Sequence, residues 1–205
     1  MSAKLLLLLC IGARVTIFVA TEACFQMNGD DSWLYFNSTV KGGDVAHYKL
    51  KFASKKDNGL IFYAQGENRD FEALFLNRGK LTYFLFNPTD YGTGSTYGVY
   101  IECTKKISKN YEHDVEFYRN EEFKTKEGIT FFKSGIKLDG VEFKKIGYSS
   151  GVDIEPQFFL GGTKENITTE VPKFKGIIKN FIEETTGQIF EKATFEQNIQ
   201  TCEKS

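Results

Sequence analysis

The sequence predicts an all-β fold, an antiparallel two-sheet sandwich. Three observations carry this reading. Short stretches of alternating apolar and polar residues recur along most of the chain. Turn signals such as Asn58-Gly59 and Gly161-Gly162 separate them. No segment sustains the apolar period of a long helix, and 20 Phe, 10 Tyr and 19 Gly against 3 Pro suit many short strands and tight turns. A chain of 205 residues is expected to hold one domain.

The first element is expected to lie outside that domain. Lys4 precedes an apolar run from Leu5 to Ile11, and Val15–Ala20 follow Arg14. Thr21-Glu22-Ala23 places small residues before a cut, so residues 1–23 are expected to be a signal peptide and 24–205 the secreted domain. Arg14 denies the run the roughly 20 unbroken apolar residues of a stable membrane span.

Trp33–Phe36 and Ala46–Phe52 then open the sandwich. Leu60–Tyr63, Ala73–Leu76 and Leu81–Phe86 read as a meander, with Asn58-Gly59 as a hairpin signal and Asn77-Arg78-Gly79 ending in the Gly such a turn needs. Gly92-Thr93-Gly94-Ser95 reads as a loop, and Gly98–Cys103 and Val115–Tyr118 as strands. The stretch from Asn120 to Ser150 divides less readily, with Ile129–Phe132 and Val141–Phe143 as candidate strands around an inserted loop. Phe158–Leu160 and Gly176–Ile182 complete a core of about 33–182, and a C-terminal tail runs to 205.

Asp57-Asn58-Gly59-Leu60-Ile61-Phe62-Tyr63-Ala64, the run from Arg69 to Leu81, Phe158-Phe159-Leu160-Gly161-Gly162 and Phe174-Lys175-Gly176 together resemble the laminin G-like domain. The resemblance implies a laminin G/concanavalin-like jelly roll acting in extracellular binding and adhesion. It also implies one calcium ion at the sandwich rim, held by Asp70 in Arg69-Asp70-Phe71 and by Asp153, with carbonyls from near Asn87 and Ile154. A hard cation takes oxygen ligands, and two carboxylates offset its charge. The plainer reading makes both aspartates ordinary turn residues.

Cys24, Cys103 and Cys202 remain once Cys10 leaves with the signal. Because domain termini are often close, Cys24 and Cys202 are expected to pair, leaving Cys103 buried and free or bridging two chains as a dimer. Ile177 stands where the family usually places a Cys after Phe-x-Gly, so the family's usual bridge cannot form. Asn37-Ser38-Thr39 and Asn166-Ile167-Thr168 are glycosylation sequons consistent with secretion.

With 26 basic and 27 acidic residues, no strong field points to nucleic acid. Several laminin G-like domains bind sulfated glycans, which directs attention to Lys55-Lys56, Lys144-Lys145, Lys179 and above all Lys105, Lys106, Lys109, Lys173 and Lys175. Sulfate recognition needs several cations on one face; interspersed surface lysines are the bland alternative.

An enzyme is the main competing class. Glu112-His113-Asp114-Val115-Glu116 fits the Glu-x-Asp-x-Glu pattern of jelly-roll glucan hydrolases, with Glu112 as nucleophile, Glu116 as general acid and Asp114 tuning both. Four residues of strand separate the two glutamate Cα atoms by about 13 Å. A retaining pair needs its carboxyl groups about 5 Å apart. A solvated strand face accounts for the same residues. His47 and His113 show no zinc spacing and read as structural imidazoles. A last alternative, carriage of a small apolar ligand between the sheets, competes with the simpler reading of the many Phe as core.

Overall fold

The computed structural model describes residues 23–40, 45–66, 69–88, 98–147, 149–164 and 170–202. Residues 1–22 of the expected signal segment, the Gly92–Ser95 loop and the Asn166 sequon lie outside the described residues.

The strands are β1 (Cys24–Asn28), β2 (Trp33–Asn37), β3 (Ala46–Ser54), β4 (Gly59–Gly66) and β5 (Phe71–Asn77). Next come β6 (Lys80–Phe86), β7 (Val99–Lys106), β8 (His113–Lys124), β9 (Thr130–Leu138) and β10 (Val141–Gly147). The chain ends with β11 (Ile154–Leu160), β12 (Lys175–Glu183), β13 (Gln188–Ile189), β14 (Phe195–Gln197) and β15 (Gln200–Thr201). The first sheet runs β10-β9-β8-β3-β12-β1-β15, with β13 beside β12; the second runs β14-β2-β11-β4-β5-β6-β7. All ladders between these strands are antiparallel, as the alternation predicts.

Alternation sets the faces. Along β3, Ala46, Tyr48, Leu50 and Phe52 point inward, while His47, Lys49 and Lys51 are partly exposed. The inner faces meet in an aromatic core. Tyr48 lies 4.9 Å from Phe117 and 5.1 Å from Phe62, and Phe158 lies 5.2 Å from Phe181 and 4.9 Å from Phe190, ring centre to ring centre. These spacings are those of packed rings. The Phe residues therefore fill the space between the sheets, which favours core over a carried ligand.

Three local expectations change. Asn58-Gly59 is not a hairpin: it turns the chain from β3 in the first sheet to β4 in the second. Gly59 is required there because a Cβ would lie 2.9 Å from the Phe174 backbone. The true two-residue hairpin is Arg78-Gly79, both at positive φ, between the paired residues Asn77 and Lys80.

Among the described residues, the stretch from 120 to 150 carries no inserted loop of the expected kind. β8 extends to Lys124, and β9 and β10 form a hairpin through Asp139-Gly140, again with both residues at positive φ. The exposed edge strand β10 lost its apolar alternation because it covers little core.

Finally, the structured domain reaches beyond 33–182. β1 pairs with β12, and the segment expected as a tail adds β14 to one sheet and β15 to the other. Cys24 and Cys202 form a disulfide with Cα atoms 5.6 Å apart, joining the two ends of the described chain.

Candidate functional site

One end of the sandwich gathers the expected acidic pair. Asp70 follows the β4–β5 turn, whose closure is a hydrogen bond from the Gly66 amide to the Asp70 carbonyl at 2.8 Å. The Asp70 side chain is buried and its Oδ2 accepts the Asp153 amide at 2.8 Å. Gly66 makes this approach sterically feasible, since a Cβ there would lie 1.7 Å from the Asp153 carbonyl oxygen. The loop before β11 is fastened further. Asn87 Nδ2 donates to the Gly151 carbonyl at 2.6 Å, and Asn120 Oδ1 accepts from the Ser150 amide at 2.8 Å and hydroxyl at 2.9 Å.

Electrostatically the pair is unbalanced. Burial raises the Asp70 pKa, the Asp153 amide offsets part of this, and the Asp153 charge adds to the rise. The buried Asp70 carboxylate lies against the Asp153 backbone while Asp153 itself is exposed, and carboxylate oxygens suit a hard divalent cation. The fit comes from the donor set itself. Ile154 opens β11 opposite Gly66, and the Ser150 and Gly151 carbonyls just before it accept from Asn87 Nδ2.

The lysines lie elsewhere. Lys55, Lys56, Lys109 and Lys173 line a groove of about 450 Å³ with Asp57, Asn58, Gly29 and Pro172. Lys109 is paired with Asp57 at 2.7 Å. The Lys175 stem lies against Gly29, and the Lys106 stem lies near Gly79 beside Asp57, so both flank this end. Lys105 is exposed on β7 and does not line the groove. The acidic and basic ends are separated by the length of β4, about 23 Å from Gly59 to Gly66. The glycan candidates therefore do not surround the acidic rim.

Glu112, Asp114 and Glu116 sit on the outer face of the first sheet in a lattice of lysines. Glu112 meets Lys179 at 2.8 Å and Lys51 at 3.4 Å, Asp114 meets Lys51 at 3.6 Å, and Glu116 meets Lys137 at 3.3 Å and Lys49 at 3.4 Å. The hydrogen bond from Lys179 leads in holding the Glu112 pKa low. For Glu116, burial pushes upward but Lys137 and Lys49 outweigh it. A general acid needs a raised pKa. Neither glutamate has one.

The remaining candidates are structural or solvent-facing. His113 is buried, with Nδ1 2.7 Å from Asp139 Oδ2 and Nε2 3.1 Å from the Ser108 carbonyl. Asn37 is exposed at the end of β2. Cys103 is fully buried in β7, so a bridge to a second chain through it would require the sheet to open.

The laminin G domain sequence profile matches residues 52–182. The chain belongs to the laminin G domain family. Its fold is similar to domains LG4-5 of the mouse laminin alpha1 chain, with a TM-score of 0.64 at 19% identity over 88% of this chain and 46% of that one. The LG1-3 region of the laminin alpha2 chain gives 0.66 at 15% identity over 89% of this chain and 35% of that one. A heptameric SAP-like pentraxin from Limulus polyphemus gives 0.52 at 13% identity over 78% and 74%. The chain thus spans about half, or less, of the laminin fragments it resembles. No curated protein matches it in sequence.

Laminin G domains are extracellular binding modules, and as a laminin G domain this chain is a binding module. Sequence reasoning located Asp70 and Asp153 but missed Gly66, whose only signal was a glycine closing a strand where none was needed for a hairpin. It also missed the inward-pointing charge on Glu72 and Arg119, both buried at positions that alternation assigns to the core.

Proposed function

We propose that this laminin G domain is a secreted, non-catalytic adhesion module that recognises a glycan or protein receptor through a calcium-bearing rim. The observation that carries this is the juxtaposition of Asp70 and Asp153, with the Asp70 carboxylate bonded to the Asp153 amide at 2.8 Å. Asp70 and Asp153 would hold the ion, with loop carbonyls near Asn87 completing an oxygen set. Bound there, calcium supplies positive charge that offsets the two carboxylates and offers a coordination position to an acidic group of the ligand.

The chain's own residues do the rest. Asn87, Asn120 and Gly66 keep the loops in place, and the lysine groove at the far end adds a contact for sulfated glycan. In this reading residues 1–23 are removed on secretion and Asn37 and Asn166 carry glycans. Catalysis by Glu112 and Glu116 is not favoured, because lysines keep Glu116, the would-be general acid, ionised.

The test is a thermal melt of the mature protein in calcium and in chelator, alongside Asp70→Ala and Asp153→Ala. A ligand bound only by the folded state stabilises it, by about 2.7 kcal/mol at roughly 100 times its Kd. The expected result is a calcium-dependent rise in Tm that both variants lose. No rise at millimolar calcium removes the rim site.

A further inference from the structure

The outer face of the first sheet brings together three side chains that sequence spacing keeps apart. His47 lies on β3, Glu116 on the neighbouring β8, and Glu184 just beyond β12 on the other side. Register explains the meeting. Lys49 pairs with Glu116 and His47 with Tyr118, so His47 and Glu116 are diagonal neighbours on one face. On the other side, Asn180 sits at positive φ where the β12 register shifts. That bulge changes which residues point outward, so that Glu183 is buried and Glu184 turns out beside His47. A hydrogen bond of 2.7 Å from the Glu184 amide to the His47 carbonyl fixes the position.

We propose that His47 Nε2, Glu116 Oε2 and Glu184 Oε2 form a site for a zinc-class divalent metal ion. Distances argue for it. Nε2 stands 3.5 Å from each Oε2, and the three donor atoms all lie within 4.8 Å of one another. A charge-assisted hydrogen bond would shorten to about 2.8 Å. Two ligands bonded tetrahedrally at about 2.0 Å from one zinc ion stand roughly 3.3 Å apart. The observed 3.5 Å lies nearer the second, in a lattice whose lysine–glutamate pairs span 3.3–3.6 Å.

A second observation is independent of the spacing. The Nε2 atom is shielded from solvent and has no hydrogen-bond partner, although it faces two carboxylates. A neutral imidazole Nε2 is a common metal ligand, and here the atoms across from it are two carboxylate oxygens.

The carboxylates are also held in the orientation a metal needs. Lys49 Nζ takes the Oε1 atoms, at 3.4 Å from Glu116 and 3.6 Å from Glu184, which turns both Oε2 atoms toward His47, the Glu116 one shared with Lys137 Nζ at 3.5 Å. Lys137 further braces Glu116 at 3.3 Å. Such outer partners orient ligands and tune affinity. A groove of about 200 Å³ lined by Val45, Tyr118, Glu121 and Thr185 opens on the site and leaves a coordination position for water. One nitrogen and two carboxylate oxygens select a first-row transition ion over calcium, which takes oxygen ligands alone.

The experiment titrates zinc into the full chain by calorimetry and thermal melt in calcium-free buffer, with cobalt(II) as a spectroscopic probe. Expected are saturable binding at one site, a zinc-dependent rise in Tm, and the intense visible bands of four-coordinate cobalt. His47→Gln and Glu184→Gln should each weaken binding by about 100-fold or more, beyond the 10–100-fold typical of outer partners. Lys49→Met should weaken it by about the 10–100-fold typical of outer partners. Absence of saturable zinc binding overturns the proposal. So does binding that persists undiminished in both His47→Gln and Glu184→Gln, which would leave only a surface ion-pair network here.

Discussion

Arg119 on β8 and Glu72 on β5 form an ion pair across the interior, joining the two sheets through the middle of the aromatic core. Arg119 is 1% exposed and Glu72 0%. Tyr83 adds a hydrogen bond to Glu72 Oε1 at 2.5 Å, and Tyr48 contacts Arg119. Burial pushes the Glu72 pKa up, and the Arg119 charge with the Tyr83 and Arg119 hydrogen bonds opposes it. Removing one partner should strand a buried charge at a cost of about 3–5 kcal/mol. Glu72→Gln and Arg119→Met are therefore each expected to lose that much in chemical denaturation, while the double change Glu72→Leu, Arg119→Met loses far less. A double loss equal to the sum of the two single losses would show that the pair has no coupling.

Asp70 gives a prediction with opposite signs in two buffers. Its folded pKa is raised above 3.8, so its ionisation costs stability as pH climbs through the folded value. In chelator at neutral pH, Asp70→Asn should raise Tm, because the amide keeps an acceptor for Asp153 without the charge. The gain should vanish below pH 3.8, where wild type is protonated in both states. In calcium the order should reverse. A variant that is less stable in both buffers would contradict the desolvated, repelled carboxylate.

Gly66→Ala tests the close approach of β4 to Asp153. The new Cβ would occupy the place of a backbone oxygen, and such overpacking costs about 1–3 kcal/mol. Calcium-dependent stabilisation should disappear with it, even though no carboxylate is altered. Retention of the full calcium effect would separate Gly66 from the rim.

The lysine groove predicts where sulfated glycan contact resides. Lys56→Glu and Lys173→Glu should lower the salt concentration that elutes the protein from heparin, and Lys105→Glu should have a smaller effect. Equal effects at all three positions would point to net charge instead of a shaped site.

Cys103 should be inert in the native state. Its thiol pKa is pushed up to about 12, by burial first and the Glu102 charge second, and only the thiolate reacts. A thiol reagent should label it only in denaturant. Rapid labelling of the native protein would reopen a bridge between chains.

By itself the sequence determined the sandwich, its inward faces and the family, because period-2 alternation and turn residues are local properties. Phe62, Phe117 and Phe158 could be assigned to the core without coordinates, and Asp70 and Asp153 could be paired through the family pattern. Tertiary structure alone decided what depends on register and crossover. Asn58-Gly59 reads as a hairpin until β3 and β4 fall in different sheets. Glu183 and Glu184 are indistinguishable until the bulge at Asn180 turns one inward and the other toward His47. Arg119 and Glu72 occupy ordinary alternating positions, and only the stacking of the two sheets makes their charges meet. A one-residue change of register reverses every side chain, and no local pattern records where a bulge will place it.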